Sequence, residues 1–176
     1  MDAKLTTFYE LYDRRKSIRD FDGRPIEPEV FARLLATLQR AQSAANRQPL
    51  HFVIADNANR EPLNACLTKE GFKAAPLLIV VCADQKQAWT RKADGVNFAW
   101  VDAAIAVTEM IGAATAEGIG ACWVAAIDPQ AVRVSLNIPG HIDVVAIIAL
   151  GYPKTDLVRE EKTRKQLTEL IHNGRW

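Results

Sequence analysis

The sequence predicts a layered fold of α-helices and β-strands, built as one domain. Two observations predict this class: stretches with helical apolar periodicity alternate with short β-branched runs, which are typical of strands buried on both faces. A third is the composition of the 176 residues, of which 49% are hydrophobic, enough to form a packed core. Because no repeat, low-complexity stretch or Gly/Ser linker interrupts the chain, we expect a single domain over residues 1–176.

The first third of the chain predicts two helices and a strand. Residues 5–15 place four apolar side chains on one helical stripe, and Pro28 stands where proline favours the first position of a helix. The small and polar residues 43–49 end this second helix, and residues 51–55 predict a short strand. The stripe of the first helix consists of Leu5, Phe8, Tyr9 and Tyr12.

The rest of the chain alternates between helical and strand patterns. The predicted helices cover residues 61–69, 98–117, 129–136 and about 162–172, and the predicted strands cover residues 77–83, 121–127 and 144–150. Gly71 ends the first of these helices, and Asp128 is the N-cap of the third. The Ala-rich helix over 98–117 is apolar almost all round, so we expect it to be central.

Charge and hydropathy exclude several classes of protein. Lys and Arg total 22 and Asp and Glu total 21, and a net charge of +1 argues against a general polyanion binder such as a nucleic-acid-binding protein. The longest uncharged apolar runs are about ten residues, whereas a membrane helix needs about twenty. The N-terminus has no apolar signal region. We therefore expect a cytoplasmic protein that does not span a membrane.

The titratable residues predict neither a metal site nor a catalytic side chain. Cys66, Cys82 and Cys122 are widely spaced and form no CxxC pair, which favours free thiols in a reducing compartment. The three histidines belong to no known nucleophile motif, and the acidic residues lack metal-ligand spacing. If the protein is an enzyme, we expect a cofactor to supply its chemistry.

Residues 14–19 form a concentrated basic segment, Arg-Arg-Lys-Ser-Ile-Arg. Alternate side chains of an extended segment share a face, so Arg15, Ser17 and Arg19 converge on one anion in this interpretation, with Lys16 nearby. Guanidinium groups and a hydroxyl are the donors that a phosphate needs. A solvated basic turn after a helix is the alternative that the segment itself leaves open.

Two further segments have the composition of ligand-binding loops. In residues 43–49, Ser-Ala-Ala-Asn-Arg-Gln-Pro, small residues admit a flat ligand, and Asn and Gln match the edge of a heteroaromatic ring. Residues 118–126 begin Gly-Ile-Gly and run into a strand; they match neither a Rossmann nor a Walker motif. For residues 43–49 the alternative is an ordinary capped loop between a helix and a strand. For residues 118–126 the alternative is a helix C-cap that leads into a core strand.

Taken in order, the three segments resemble the motifs of the nitroreductase family of FMN-dependent flavoproteins. Residues 15–21 resemble Arg-x-Ser-x-Arg/Lys-x-Phe, residues 41–49 resemble Ala-Pro-Ser-x-x-Asn-x-Gln-Pro, and residues 118–123 are similar to Gly-Leu-Gly-x-Cys-Trp. The Gly-Tyr-Pro at 151–153 and the closing basic helix also match in kind and position. The resemblance runs from about Tyr12 to the C-terminus, and the order of the motifs makes it specific.

The resemblance implies an α+β fold with a central mixed β-sheet flanked by helices, in an intertwined homodimer with FMN at the interface. The Ala-rich helix would form the dimer core, and residues 154–176 would be an arm that packs on the partner subunit. The FMN phosphate and ribityl chain would be held by Arg15, Lys16, Ser17, Arg19, Lys162 and Arg164. The isoalloxazine would meet Ser43, Ala44, Asn46 and Gln48, usually from the second subunit, and the strand end Trp123, Val124, Ala125 and Ala126.

The implied activity is hydride transfer from NAD(P)H through flavin N5 to a nitroaromatic, quinone or similar planar acceptor, by a ping-pong mechanism without a catalytic side chain. A flavin-consuming or dehalogenating relative and a non-catalytic FMN-storage module are the alternatives. Gln42, Leu50 and Ala125 depart from the family pattern on the acceptor side, and the chain is short for the family, which predicts a minimal lid. The acceptor and the choice between NADH and NADPH stay open.

Overall fold

The computed structural model describes residues 3–55, 60–154 and 162–176. Its helices are α1 (Ala3–Arg14), α2 (Pro28–Arg40), α3 (Glu61–Asn64), α4 (Glu70–Lys73), α5 (Ala99–Ala116), α6 (Pro129–Ser135) and α7 (Leu167–Leu170). Its strands are β1 (Leu50–Ala55), β2 (Leu77–Asp84), β3 (Gly120–Val124) and β4 (Ile142–Gly151). The predicted order of helices and strands is confirmed, with one helix more. The helix predicted over 61–69 ends at Asn64, and a further short helix, α4, follows at Glu70–Lys73.

The four strands form one antiparallel sheet with the order β1-β2-β4-β3. All eight residues of β2 are buried, and in β4 only Asp143 is partly exposed. Burial on both faces explains the continuous apolar runs of these two central strands. The resemblance implied a mixed sheet, but the four described strands pair only in the antiparallel sense. The parallel pairing in the described residues is an isolated bridge between Ser17 and Ala121.

Helices cover both faces of the sheet. On one face α2 and α5 pack around residues such as Leu34 and Met110, and on the other α3, α4 and α6 pack around Phe72 and Val132. The predicted N-cap of α6 is confirmed, since the carboxylate of Asp128 accepts two backbone N–H bonds of 2.9 and 3.2 Å. The predicted site segments lie in the connections between these layers.

The long helix α5 covers the sheet with one face only. Its buried residues are Ala99, Asp102, Ala103, Ala106, Val107, Met110 and Ala114. The opposite face is also apolar but uncovered in the described chain, with Trp100 53% exposed and Val101 44% exposed. The predicted core position of α5 is therefore confirmed for one face, and burial of the other face stays a prediction. By length and composition alone α5 could cross a membrane, but its buried face and Asp102 make it a core helix.

The short helix α4, which follows the predicted 61–69 helix, packs closely against the segment of Arg19. A Cβ atom on Gly71 would lie 2.1 Å from the carbonyl oxygen of Arg19, so only glycine permits this approach. Gly71 thus lies inside α4 and does not end a helix, which corrects the prediction. Buried Arg60 donates hydrogen bonds to the carbonyls of Lys73 and Ala75 and holds the two short helices together.

Both ends of the described chain expose apolar side chains. The predicted stripe of α1 exists, but all four of its side chains are at least half exposed. The closing helix is four residues long, shorter than the predicted 162–172, and Leu167 is 70% exposed. A helix this short gains stability from packing rather than from its own hydrogen bonds, and nothing in the described part of the chain covers it.

We predict that Gly71→Ala destabilises the fold by about 1–3 kcal/mol, although alanine favours helix formation, because the added methyl group overlaps backbone atoms. The matched control is Gly140→Ala, where nothing lies within 4 Å of the added Cβ. Urea unfolding of both variants measures the free energies. Equal stabilities of the two variants would contradict the close packing of α4 on residues 19–20.

Candidate functional site

The basic segment continues from α1 along the free edge of β3. The N–H of Ile18 donates a hydrogen bond of 2.9 Å to the carbonyl of Ala121. The Ile18 side chain packs over Gly120, where a Cβ atom would lie 2.8 Å from it. Phe21, 1% exposed, then anchors the segment in the core. The first and third predicted segments are therefore in direct contact within one chain.

A polar cleft of about 220 Å³ opens where this segment leaves α1. Arg15 and Lys16 line it together with Arg14 and Lys154, so four cations surround a small volume. Lys154 also forms an ion pair of 3.0 Å with Asp20. The opposite wall comes from the turn between α5 and β3. This concentration of cationic donors suits a phosphate group.

Ser17 and Arg19 do not line that cleft but lie beside Cys122. Burial raises the pKa of the Cys122 thiol, and Arg19, Lys69 and a hydrogen bond with Ser17 oppose that shift. The structure thus places Arg15 in the cleft and Ser17 and Arg19 near Cys122. The convergence of the three side chains on one anion stays a prediction. The segment presents two groups of donors, Arg15 with Lys16 at one end and Arg19 with Lys69 at the other.

The second segment forms a tight loop, residues 43–48, named here the 43–48 loop. Ala45, Asn46 and Gln48 have φ values of 51°, 53° and 50°, a left-handed backbone that costs a non-glycine residue about 1 kcal/mol or more. The Ser43 hydroxyl accepts a bond of 2.9 Å from the N–H of Gln48 and closes the loop. Ala44 donates to the buried carboxyl of Asp102 in α5 at 2.8 Å.

The 43–48 loop and the basic segment line two different clefts of the described chain. Ser43 and Gln48 line a separate cleft of about 310 Å³ beside α2 and β1. The loop therefore offers its polar groups at another place on the surface of one protomer. A site completed by two subunits, as the resemblance implies, stays a prediction.

The end of β3 exposes backbone rather than side chains. The strand predicted over 121–127 stops at Val124, because a turn from the Ile127 N–H to the Ala125 carbonyl precedes the N-cap of α6. Val124 is buried and Trp123 is partly buried. Ala125 and Ala126 are exposed, and their N–H groups donate to no other described residue. They are available to a ligand.

The two C-terminal cations differ in their surroundings. The ammonium group of Lys162 donates hydrogen bonds to the carbonyls of Tyr12 and Asp13, which places it at the end of α1 beside the basic segment. Arg164 is exposed and donates to the neighbouring carbonyl of Thr163. The structure thus brings Lys162 to the predicted phosphate end.

Three residues of this site were missed in the sequence. Lys69 and Lys154 lie in stretches without a recognised motif, and only the packing of α4 and β4 brings them to the basic segment. The sequence signal for Lys69 was the nearby Gly71. A glycine within a helical stretch can mark a site of close packing as well as the end of the helix, and here it packs against Arg19. Asp102 was visible as a lone acid in an apolar stretch of α5.

Comparison with known proteins decides the family. A family described as "Putative TM nitroreductase" matches residues 7–175, nearly the whole chain. The chain belongs to the nitroreductase family. FMN is the cofactor of this family, so the recognition from the three motifs is confirmed.

Curated relatives differ in their named activities. A "Putative NADH dehydrogenase/NAD(P)H nitroreductase" of Archaeoglobus fulgidus is 33% identical, over 92% of this chain and 94% of that protein. A 5,6-dimethylbenzimidazole synthase of Rhodospirillum rubrum is 29% identical, over 83% of this chain and 82% of that protein. Membership of the nitroreductase family therefore does not by itself fix the reaction.

Solved structures confirm the α+β nitroreductase fold. A nitroreductase family protein of Clostridium difficile superposes with a TM-score of 0.86 at 27% identity, covering 95% of this chain and 98% of that one. An oxidoreductase containing FMN superposes with a TM-score of 0.81 at 25% identity, covering 94% and 91% of the two chains.

We predict that Cys66 is alkylated at pH 8 much faster than Cys82 or Cys122. Burial raises the pKa of Cys82 to about 11, which leaves about one thousandth of it as the reactive thiolate at pH 8. Burial also raises the pKa of Cys122, whereas Cys66 is partly exposed. Peptide mapping after timed iodoacetamide treatment measures the rates, with urea-unfolded protein as control. Fast labelling of Cys122 in the folded protein would contradict its placement.

Proposed function

We propose that this protein is an FMN-dependent oxidoreductase that transfers a hydride from NAD(P)H to a planar acceptor such as a nitroaromatic or a quinone. The observation that carries the proposal is the extended basic segment, which has cations at both ends and lies along β3, with the exposed backbone of Ala125 and Ala126 following that strand. FMN, when bound, supplies the hydride chemistry at its N5 atom. No catalytic side chain is required of the protein, whose task is to bind and orient.

The two groups of donors fit an elongated anionic ligand. Arg15, Lys16 and Lys162 would hold the phosphate at the α1 end, with Ser17 next along the segment. Residues four apart in an extended chain lie about 13 Å apart, so Arg19 and Lys69 would face the far end of the ligand. A cation there stabilises negative charge that develops on the ring system during reduction. The same role for Arg164 stays a prediction of the family resemblance.

The ring system would lie over the end of β3. The free N–H groups of Ala125 and Ala126 are donors without a described partner, and they suit the N5 and O4 edge of the isoalloxazine. Trp123 and Val124 would contribute through their backbone, because their side chains pack inward. Ser43, Ala44, Asn46 and Gln48 would complete the site from the partner subunit.

The apolar faces left uncovered support a homodimer. The groove along α5 is mainly apolar, with Glu109 as its one acidic lining residue; it is lined by Trp100, Val101, Ala104, Ile105, Thr108 and Glu109. The exposed stripe of α1 and the side chains of α7 add further apolar surface. Monomeric proteins rarely expose contiguous apolar patches larger than a few hundred Å². We propose that a second copy covers these faces, with α5 at the centre and the arm from residue 154 on the partner. Residues 155–161 of that arm lie outside the described residues.

One alternative is favoured by a specific comparison. 5,6-Dimethylbenzimidazole contains the dimethylated benzene ring that isoalloxazine also contains, and a synthase of this compound is among the relatives. The alternative is therefore a reaction that consumes the flavin. Flavin content before and after aerobic turnover with NAD(P)H separates the two: the oxidoreductase keeps its flavin, whereas a flavin-consuming enzyme loses it in proportion to product.

We predict that the purified protein is yellow, with about one FMN per chain, and that NADH or NADPH abolishes the visible flavin absorbance under anaerobic conditions. Addition of a quinone should restore the absorbance, as a shared cleft for both substrates requires. Anaerobic absorbance spectroscopy checks each step. Bound FMN that neither nucleotide reduces within minutes would favour a storage module and contradict the enzyme.

We predict that Arg15→Ala and Arg19→Ala each weaken FMN binding about 10- to 100-fold, the effect of losing a charge-assisted hydrogen bond. Lys86→Ala, an exposed lysine in the turn after β2, is the matched control and should leave the affinity unchanged. Flavin-fluorescence titration of flavin-stripped protein measures the dissociation constants. Wild-type affinity in both arginine variants would refute the role of the basic segment.

A further inference from the structure

A buried carboxyl group of α5 reaches the 43–48 loop. Asp102 is 1% exposed, and its Oδ1 atom accepts the hydrogen bond of 2.8 Å from the N–H of Ala44. Its other oxygen, Oδ2, is buried and has no hydrogen-bond partner among the residues that the structure describes. A buried polar atom without a partner is costly, so packing alone does not account for an aspartate here.

The loop that Asp102 holds has a backbone that needs support. Ala45, Asn46 and Gln48 all adopt the left-handed conformation without being glycine. The bond from Gln48 to the Ser43 hydroxyl closes the loop on itself, but it fixes no orientation relative to the rest of the protein. The hydrogen bond from Ala44 to Asp102 fixes the orientation of the loop relative to the rest of the protein, because α5 is packed on the sheet. A strained segment of this kind persists only where its surroundings determine it.

We propose that Asp102 is a positioning residue for the flavin: through Ala44 it holds the 43–48 loop in the one orientation that presents Ser43 and Asn46 to the isoalloxazine. This inference rests on the proposed function. Trp100 and Asp102 lie two positions apart in α5 and so point to nearly opposite sides of the helix. The same helical turn therefore holds the 43–48 loop on one side, through Asp102, and presents on its other side the apolar surface that we propose a second subunit covers. Dimer formation and the orientation of the loop would thus depend on the same turn of α5.

Three variants test the proposal. Asp102→Ala removes the acceptor, and Ala44→Pro removes the donor without altering α5. Proline suits position 44, because it begins the short turn over 44–46 and the preceding Ser43 is extended, with φ −138° and ψ 156°. Asp102→Asn keeps an Oδ1 acceptor and serves as the conservative rescue. The matched control is Asp128→Ala, which also removes an aspartate that accepts backbone N–H bonds, at α6.

Two measurements are made on the purified full chain. Amide hydrogen exchange by mass spectrometry reports the peptide containing residues 43–48, and titration with FMN reports the affinity. We expect Asp102→Ala and Ala44→Pro to accelerate exchange in the loop and to weaken FMN binding about tenfold, with a shifted visible flavin spectrum. Asp102→Asn should retain most of the wild-type affinity. Asp128→Ala should change neither loop exchange nor affinity.

The outcomes separate this proposal from the one on which it rests. FMN bound with wild-type affinity and spectrum by both Asp102→Ala and Ala44→Pro would overturn the role of Asp102, even if loop exchange rises. A wild-type chain that takes up no FMN would overturn the proposed function and this role with it. If Asp102→Ala does not fold, Ala44→Pro decides through loop exchange, because its FMN affinity also depends on the flavin contact proposed for Ala44. Exchange of the 43–48 loop at the wild-type rate in Ala44→Pro would then overturn the role of Asp102.

Discussion

The docking of residues 16–21 on the free edge of β3 is the contact on which the candidate site depends. One backbone hydrogen bond, from Ile18 to Ala121, sets its register, and Phe21 fixes its far end in the core. The contact is possible only because two neighbours lack side chains, Gly120 beneath Ile18 and Gly71 against Arg19. An isolated strand edge would be open to pairing with another chain; here it is covered by the segment that carries the cations.

This contact converts a nearly neutral protein into one with a local cationic site. The net charge of +1 does not reveal how the positive charges are distributed. Arg14, Arg15, Lys16 and Lys154 line one cleft, and Lys69, at the start of α4, lies near the other end of the segment. The absence of an acid, base or nucleophile motif in the sequence fits the same picture. When a bound cofactor carries out the reaction, the protein has to position the cofactor and stabilise its charge. In this protein the docking of the basic segment on β3 provides the position, and the Arg and Lys side chains provide the charge.

The fold was largely predictable from the sequence, because the central strands β2 and β4 are buried on both faces and α2 begins at Pro28. The site was predictable only through its resemblance to a family, since each of its segments also suits an ordinary turn or cap. Three features depend on contacts between residues distant in the chain, and periodicity did not predict them. They are the close packing of α4 on the segment of Arg19, the uncovered outer face of α5, and the anchoring of the 43–48 loop by Asp102. Local pattern does not encode such contacts.

The most direct test of the account compares FMN with riboflavin, which differs from it by the phosphate alone. Fluorescence titration of the flavin-stripped protein gives both dissociation constants under one condition. Because two or more charge-assisted hydrogen bonds would hold the phosphate, the account predicts that FMN binds at least about 100-fold more tightly, with a difference that shrinks as salt is added. Equal affinities for the two flavins would contradict a phosphate site at the basic segment, and with it the central claim.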